Sequence, residues 1–309
     1  MAGAATVSLP APRSGGVVAG LRRHALPVAV VVAAIVALWY AGAVLLNAPQ
    51  QVDAFVRAGT PDYSTADLVR ETLNQKRPVL PSPHQVAAEF WASTAMVAPT
   101  SKRSLIYHGW VTLSSTLLGF AAGTLFGIAL AVAIVHSRVM DKSLMPWIIA
   151  SQTIPILAVA PMIIVVLNAV GITGLLPKAL ISMYLSFFPI TVGMVKGLRS
   201  PDVINLDLMR TYSATKRQVL WKLRLPSSVP FLFTSMKVAI AAALVGAIVG
   251  ELPTGVVAGL GARLLSGSYY GQTVQIWAAL VAASLLAAAL VALVSVVERL
   301  VLARMGARA

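Results

Sequence analysis

The chain has 309 residues, of which 58% are hydrophobic and only 11% charged. Soluble domains carry about 45–50% apolar and about 25% charged residues, so this composition indicates lipid as the solvent. The net charge of +14 would suggest nucleic acid on a soluble protein. Here it fits the Lys and Arg that membrane proteins collect in cytoplasmic loops, and the interleaved aromatics of a single-strand binder are missing. The absence of cysteine excludes disulfides, thiolate metal sites and thiol nucleophiles.

A membrane span needs about 20 mostly apolar residues. Six stretches qualify: Leu26–Leu46, Trp110–Val135, Leu144–Ala169, Leu176–Val195, Val229–Val249 and Val274–Leu300. The first follows Arg22 and Arg23, and Ala41-Gly42-Ala43 looks like a signal-peptide cleavage site. The apolar stretch exceeds a usual signal core of about 7–15 residues, which favours a retained anchor after a tail of residues 1–25.

Residues 47–105 form an external segment with helix-start signals. Ser64-Thr65 precedes Asp67-Leu68-Val69, and Ser82-Pro83 leads into Gln85-Val86-Ala87-Ala88-Glu89-Phe90. A capping Ser before a Pro suits the first helical position. Short helices along the outer membrane surface are expected.

The second span carries Gly119, Gly123 and Gly127 on one face, and the fifth carries Ala239, Ala242, Ala243, Gly246 and Gly250. Small residues four apart let helix backbones approach closely in lipid. The third span contains Pro155 and Pro161, each of which removes a backbone donor, so kinks are expected. Kinked helices with unpaired carbonyls line polar cavities in some membrane proteins and merely pack in others. Gln152, Pro155, Asn168, Tyr184 and Thr191, from the third and fourth spans, are the candidate residues of a solute pathway.

The basic residues are unevenly divided. One side of the membrane holds fifteen: Arg13, Arg22 and Arg23; Arg138 and Lys142; seven between Lys196 and Arg224; and Arg299, Arg304 and Arg308. The other side holds eight, and Lys237 lies within a span. The richer side is cytoplasmic by the positive-inside rule, which puts both termini, including the tail 303–309, in the cytoplasm. Lys237 sits about two turns, or ~11 Å, inside the cytoplasmic end of the fifth span. It either faces an anionic substrate or snorkels to the interface, and that reach favours snorkelling. Glu251, at the outer end of the same span, reads as an interfacial carboxylate.

Between the fourth and fifth spans lies the longest cytoplasmic loop. Ser200 can cap a helix, with Pro201 at its first position and Asp202 complementing its dipole. Val203, Ile204, Leu206, Leu208 and Met209 give that helix an apolar stripe. A second short helix is expected from Thr215, with Gln218 completing a capping box and Pro226 stopping it. Such a pair either lies on anionic lipid or docks in a partner's groove.

Some chemistries are missing. No phosphate loop of the G-x-x-x-x-G-K-[ST] type is present, and neither H-E-x-x-H nor Gly-x-Ser-x-Gly occurs. The four histidines are isolated in sequence. A secondary carrier would bury Asp, Glu or His at mid-membrane, and none of the six spans clearly does. An intramembrane enzyme would need convergent titratable groups.

The loop resembles the signature of ATP-binding-cassette importer permeases. That signature is Glu-Ala-Ala, three residues, Gly, nine residues, Ile, one residue, Leu-Pro. Anchored at Leu225-Pro226, this chain reads Asp207-Leu208-Met209, then Ser213, then Leu223. Asp stands for Glu, Leu-Met for Ala-Ala, Ser for Gly and Leu for Ile. Leu80-Pro81-Ser82-Pro83, Thr112-Leu113 through Gly127, Gln152-Thr153-Ile154-Pro155 with Ala158 and Pro161, Phe188-Pro189 to Arg199, Lys237, and Gly259-Leu260-Gly261 are similar to the nitrate/sulfonate/taurine branch.

The resemblance runs from about Leu80 to the C-terminus. It implies an all-α membrane protein with the type I importer transmembrane fold over residues 106–302, about six spans and a coupling helix pair. Asp207, Leu208, Met209, Ser213, Ala214, Val219, Leu220, Leu223, Leu225 and Pro226 would be the coupling residues. It implies no cofactor on this chain; ATP and Mg would belong to partner ATPase subunits. The other implied partners are a second permease (a copy or a paralogue), a periplasmic or lipid-anchored substrate-binding protein, and membrane lipid. The solute would be sulfonate-, nitrate- or taurine-like, or a pyrimidine- or thiamine-precursor-like molecule. Scarce charge in the spans tilts this toward a neutral or zwitterionic organic solute.

Overall fold

In the computed structural model, residues 17–59, 62–253 and 256–306 are described, with the backbone alone for 17–25. Arg13 and Arg308 lie outside the described residues. The chain divides at Gln85 into two compact units.

The first unit is built on α1 (Val17–Arg57), which continues through Ala41-Gly42-Ala43 and three turns beyond Leu46. The short α2 (Thr65–Leu73) follows. Ser64 and Asp67 form a reciprocal capping box at its start, satisfying two helix-end donors at once. The connection onward is held by Asn47 of α1. Its buried amide accepts from the Val79 N–H at 2.7 Å and donates to the Leu80 carbonyl at 2.7 Å. An apolar residue there would strand these loop backbone groups. The Ser82 hydroxyl is turned away from the cap position and donates to the Leu73 carbonyl at 2.9 Å. It is Gln85 that reaches back, accepting from the Ser82 N–H.

The second unit starts within α3 (Pro83–Ala95) and contains α4 (Leu105–His136), α5 (Arg138–Ser151), α6 (Ile156–Ala169), α7 (Leu175–Leu198), α8 (Val203–Thr211), α9 (Lys216–Val219), α10 (Leu225–Gly250), α11 (Leu260–Tyr269) and α12 (Thr273–Arg304). At its centre α7 is sandwiched between α4 and α10. The glycines are there for packing. A Cβ on Gly119 of α4 would sit 2.5 Å from the Ala179 carbonyl oxygen of α7, and one on Gly246 of α10 would sit 2.8 Å from the Ser182 Cα. Both neighbours are backbone, which cannot yield as a side chain can. Below this contact Ile134, Ile190, Met194 and Leu198 form an apolar core. Gly119→Ala is therefore expected to force α4 and α7 apart and to cost about 1–3 kcal/mol, the usual penalty of overpacking. Gly109, earlier on α4, has nothing within 4 Å, so Gly109→Ala is the matched control. Thermal unfolding in detergent should show a large fall for the first variant and none for the second.

Three sequence expectations need correction. The third span is not one kinked helix: α5 and α6 meet at 98° across Gln152–Pro155. A proline inside a helix bends it, whereas here Pro155 begins a new helix in extended geometry, ending the old one. Among the described residues, five helices are long and apolar enough to span, and the bent pair is a sixth only if counted as one. The N-cap of α8 is Asp202, not Ser200; the Ser200 hydroxyl donates back to the Gly197 carbonyl at 2.8 Å. Pro226 does not stop the second loop helix. A π-helical turn, Leu220–Arg224, joins α9 to α10, and Pro226 falls in the first turn of α10. The wider turn bonds the Leu225 N–H to the Leu220 carbonyl, and the helix passes a residue that lacks a donor.

Candidate functional site

Two regions of the second unit stand out: the loop between α7 and α10, and the N-terminal ends of α4 and α7 with the C-terminal ends of α6 and α10.

In the loop, α8 ends in a paired turn. The Ser213 N–H bonds the Arg210 carbonyl at 2.8 Å and the Ala214 N–H bonds the Met209 carbonyl at 2.9 Å. This is the Schellman arrangement, which needs a left-handed residue. Ser213 supplies it with φ of 50°, the one positive φ outside glycine among the described residues. The position where the family signature has Gly is thus a position that suits Gly. Thr215 and Gln218 then form the expected capping box. Asp207 pairs with Arg210 at 2.7 Å on the exposed surface.

The apolar stripe of α8 splits. Ile204, Leu208 and Tyr212, four residues apart, are 76%, 53% and 77% exposed, while Leu206 and Met209 are half-buried. Tyr212 was missed at the sequence level because it follows the last regular apolar position. In the second arm, Leu220 and Leu225 pack on the core of Ile190, Met194 and Leu198. Val219 and Leu223 are half-buried and Pro226 is exposed. Leu220 thus faces its own bundle, so a charge there would damage the permease rather than a partner's groove.

The five pathway candidates are not brought together. Gln152 and Pro155 sit at the break between α5 and α6, and the Tyr184 hydroxyl donates to the Ser151 carbonyl beside them. Thr191 is fully buried, its hydroxyl donating to the Phe187 carbonyl at 2.8 Å. Asn168, at the far end of α6, lines a cavity of about 690 Å3 between the N-terminal ends of α4 and α7, the C-terminal end of α6 and residues 256–258.

Beside that cavity lies a buried carboxylate that the sequence presented as interfacial. Glu251 is fully buried. It accepts from the Thr112 hydroxyl at 2.9 Å and from the Gly261 N–H at 3.0 Å, and it faces the Lys178 ammonium at 3.9 Å. Lys178 also donates to the Ala258 carbonyl at 3.1 Å. His108 Nδ1 accepts from the Gly259 N–H at 3.0 Å, so its proton sits on Nε2, which faces the Lys102 carbonyl at 3.0 Å. Gly259 has φ of 125°, and a Cβ there would overlap the Glu251 carboxylate. α4, α7 and α10 thus clasp residues 258–261. Burial pushes the Glu251 carboxyl up to about 7, against the opposing pull of Gly261, Lys178 and Thr112. Lys237 pairs with Glu298 of α12, a partner on another helix that the sequence did not single out.

A bundle of close-packed helices with a capped loop that ends in Leu-Pro agrees with the comparisons. The profile of the family described as binding-protein-dependent transport system inner membrane component matches residues 123–307. The chain belongs to this family. It is an ABC importer permease subunit, a multi-pass inner-membrane transport component. A riboflavin transport system permease protein of Chloroflexus aurantiacus is 33% identical over 72% of this chain and 79% of its own length. A probable ABC transporter permease protein of Haemophilus influenzae is 31% identical over 65% and 77%. A formylaminopyrimidine transport permease protein of Halalkalibacterium halodurans is 31% identical over 56% and 65%.

Proposed function

We propose that this permease carries a small organic solute inward, driven by separate ATPase subunits that grip the loop between α7 and α10. The observation that carries the reading is the exposed Ile204–Leu208–Tyr212 face of α8, held by capped ends and a fixed turn at Ser213. An apolar helix face with anchors four residues apart is what a partner's groove receives. Asp207, Leu208, Met209, Ser213 and Ala214 form the first arm and turn of this element. Val219, Leu220, Leu223, Leu225 and Pro226 join its second arm to the bundle, so that movement of α8 is passed to α10. ATP and Mg are used by the ATPase, and a binding protein delivers the solute to a pair of permeases, each a copy or a paralogue of this chain. The basic residues support cytoplasmic N- and C-termini, with the 203–226 loop on the same side. The relatives named for riboflavin and for formylaminopyrimidine favour an organic ring solute over nitrate or sulfonate.

The test is capture of the ATPase by the permease, with ATP hydrolysis measured in membranes. Ile204→Asp with Leu208→Asp should abolish capture and reduce hydrolysis at least tenfold, the scale of losing about 2 kcal/mol from two interface anchors. Ser213→Gly should leave both unchanged, because Gly adopts the left-handed turn at no steric cost. Normal capture by the double Asp variant, inserted at wild-type level, would leave α8 as a membrane-surface helix and put the ATPase contact elsewhere.

A further inference from the structure

We infer that the cavity of about 690 Å3 at the outer end of the second unit is a solute subsite for a planar, uncharged heteroaromatic ring with a mixed donor and acceptor edge. This rests on the importer reading above and names the substrate class of that importer.

Size is the first argument. Pockets for drug-sized organic ligands measure roughly 300–1,000 Å3, and this cavity falls within that range. A single inorganic oxyanion would leave most of it vacant.

Charge is the second. Among the described residues, the one cationic side chain in the lining is Lys178, and it is already engaged by the Ala258 carbonyl and faces Glu251. No Arg lines the cavity, although bidentate Arg is the favoured partner of carboxylate-like and phosphate-like oxyanions. An anionic solute would therefore meet no uncommitted positive charge here.

The polar and aromatic groups that remain uncommitted are the third argument. The Asn168 amide and the Trp110 indole N–H make no hydrogen bond among the described residues. An amide offers both donors and an acceptor, which matches the edge of a ring amide or amidine. Trp110 is 68% exposed and presents an aromatic face for offset stacking. Apolar walls come from Ile164, Leu175 and Val257. The clasp at Glu251 fixes the 256–258 wall from behind, so Glu251 and Lys178 are positioning residues for the subsite and do not themselves bind the ring.

The test uses the whole transporter in membranes, with ATPase and binding protein. Riboflavin, a formylaminopyrimidine, taurine and nitrate serve as probes, and both basal and solute-stimulated ATP hydrolysis are measured. In the wild type a ring solute is expected to stimulate, and taurine and nitrate are not. Trp110→Ala and Asn168→Leu should each raise the ring concentration for half-maximal stimulation about tenfold, the scale of one stacking or one hydrogen-bonding contact. Trp110→Phe should restore it to within about threefold, since Phe also stacks. Unchanged stimulation in both variants would overturn the inference and assign the cavity to lipid or to the second permease. Stimulation of the wild type by taurine or nitrate, and by neither ring, would overturn the substrate class. Failure of the wild type to capture the ATPase at all would instead overturn the importer reading, leaving the two failures distinguishable.

Discussion

Glu251→Ala is expected to destabilise the permease by about 3–5 kcal/mol, the usual result of removing one member of a buried ion pair. The carboxylate is fully buried and holds the Gly261 N–H, the Thr112 hydroxyl and the Lys178 ammonium. Its loss strands the amide and the cation and releases the clasp on residues 258–261. Glu251→Gln keeps an acceptor and should cost far less.

The same group makes stability depend on pH. Its carboxyl stands at about 7 in the folded protein, raised from the ordinary 4.5 by burial. Between these values the folded state binds more protons than the unfolded state, so stability falls as pH rises. The contribution is fully present below about pH 4.5 and is lost as pH passes through about 7, a span on the order of 3 kcal/mol. Lys178 and His108 face the same segment. The measurement is therefore the difference between the wild type and Glu251→Gln in thermal unfolding at pH 5.5 and pH 8. The wild type should lose ground to the Gln variant at the higher pH. A constant difference would mean that Glu251 does not titrate in this window.

The second large effect lies midway along α10. Lys237 and Glu298 pair between α10 and α12, with side chains 33% and 15% exposed. Lys237→Met leaves the Glu298 carboxylate unpaired, and Glu298→Leu leaves the ammonium unpaired. Each should cost about 2–3 kcal/mol, below the fully buried case because solvent still reaches the pair. The double variant replaces both charges with apolar side chains, and it should recover most of that loss. Thermal unfolding of the four proteins in detergent forms a double-mutant cycle. Additive losses would show that the pair contributes nothing beyond each side chain alone. Lys237→Arg keeps the pair, so it should be neutral for assembly and transport alike.

The amino-acid sequence by itself determined the class, most span positions and the local devices. An apolar run long enough to cross lipid has few alternatives to a helix, since every backbone group must be satisfied within it. The small-residue stripe Gly119-Gly123-Gly127 announced close packing, and the structure places Ser182, Ser186 and Ile190 of α7 against it. The capping boxes at Ser64 and Thr215, and the left-handed turn at Ser213, depend on residues within five positions of one another. Short-range chemistry of this kind is readable wherever it occurs.

Only the tertiary structure decided which faces meet. The contact between Thr112 and Glu251 spans 139 residues of sequence, and nothing local marks Glu251 as buried rather than interfacial. Lys237 gave no sign of its partner, because Glu298 lies on a different helix, 61 residues away in sequence. Leu220 and Ile204 are both apolar residues of the same loop, yet one packs on the core while the other stays exposed. The direction of a stripe is fixed by the helix that packs against it, and so by geometry that sequence spacing does not encode. Pro155 and Pro226 show the same limit. Both remove a backbone donor, but one begins a helix turned by 98° and the other is absorbed by a π-helical turn.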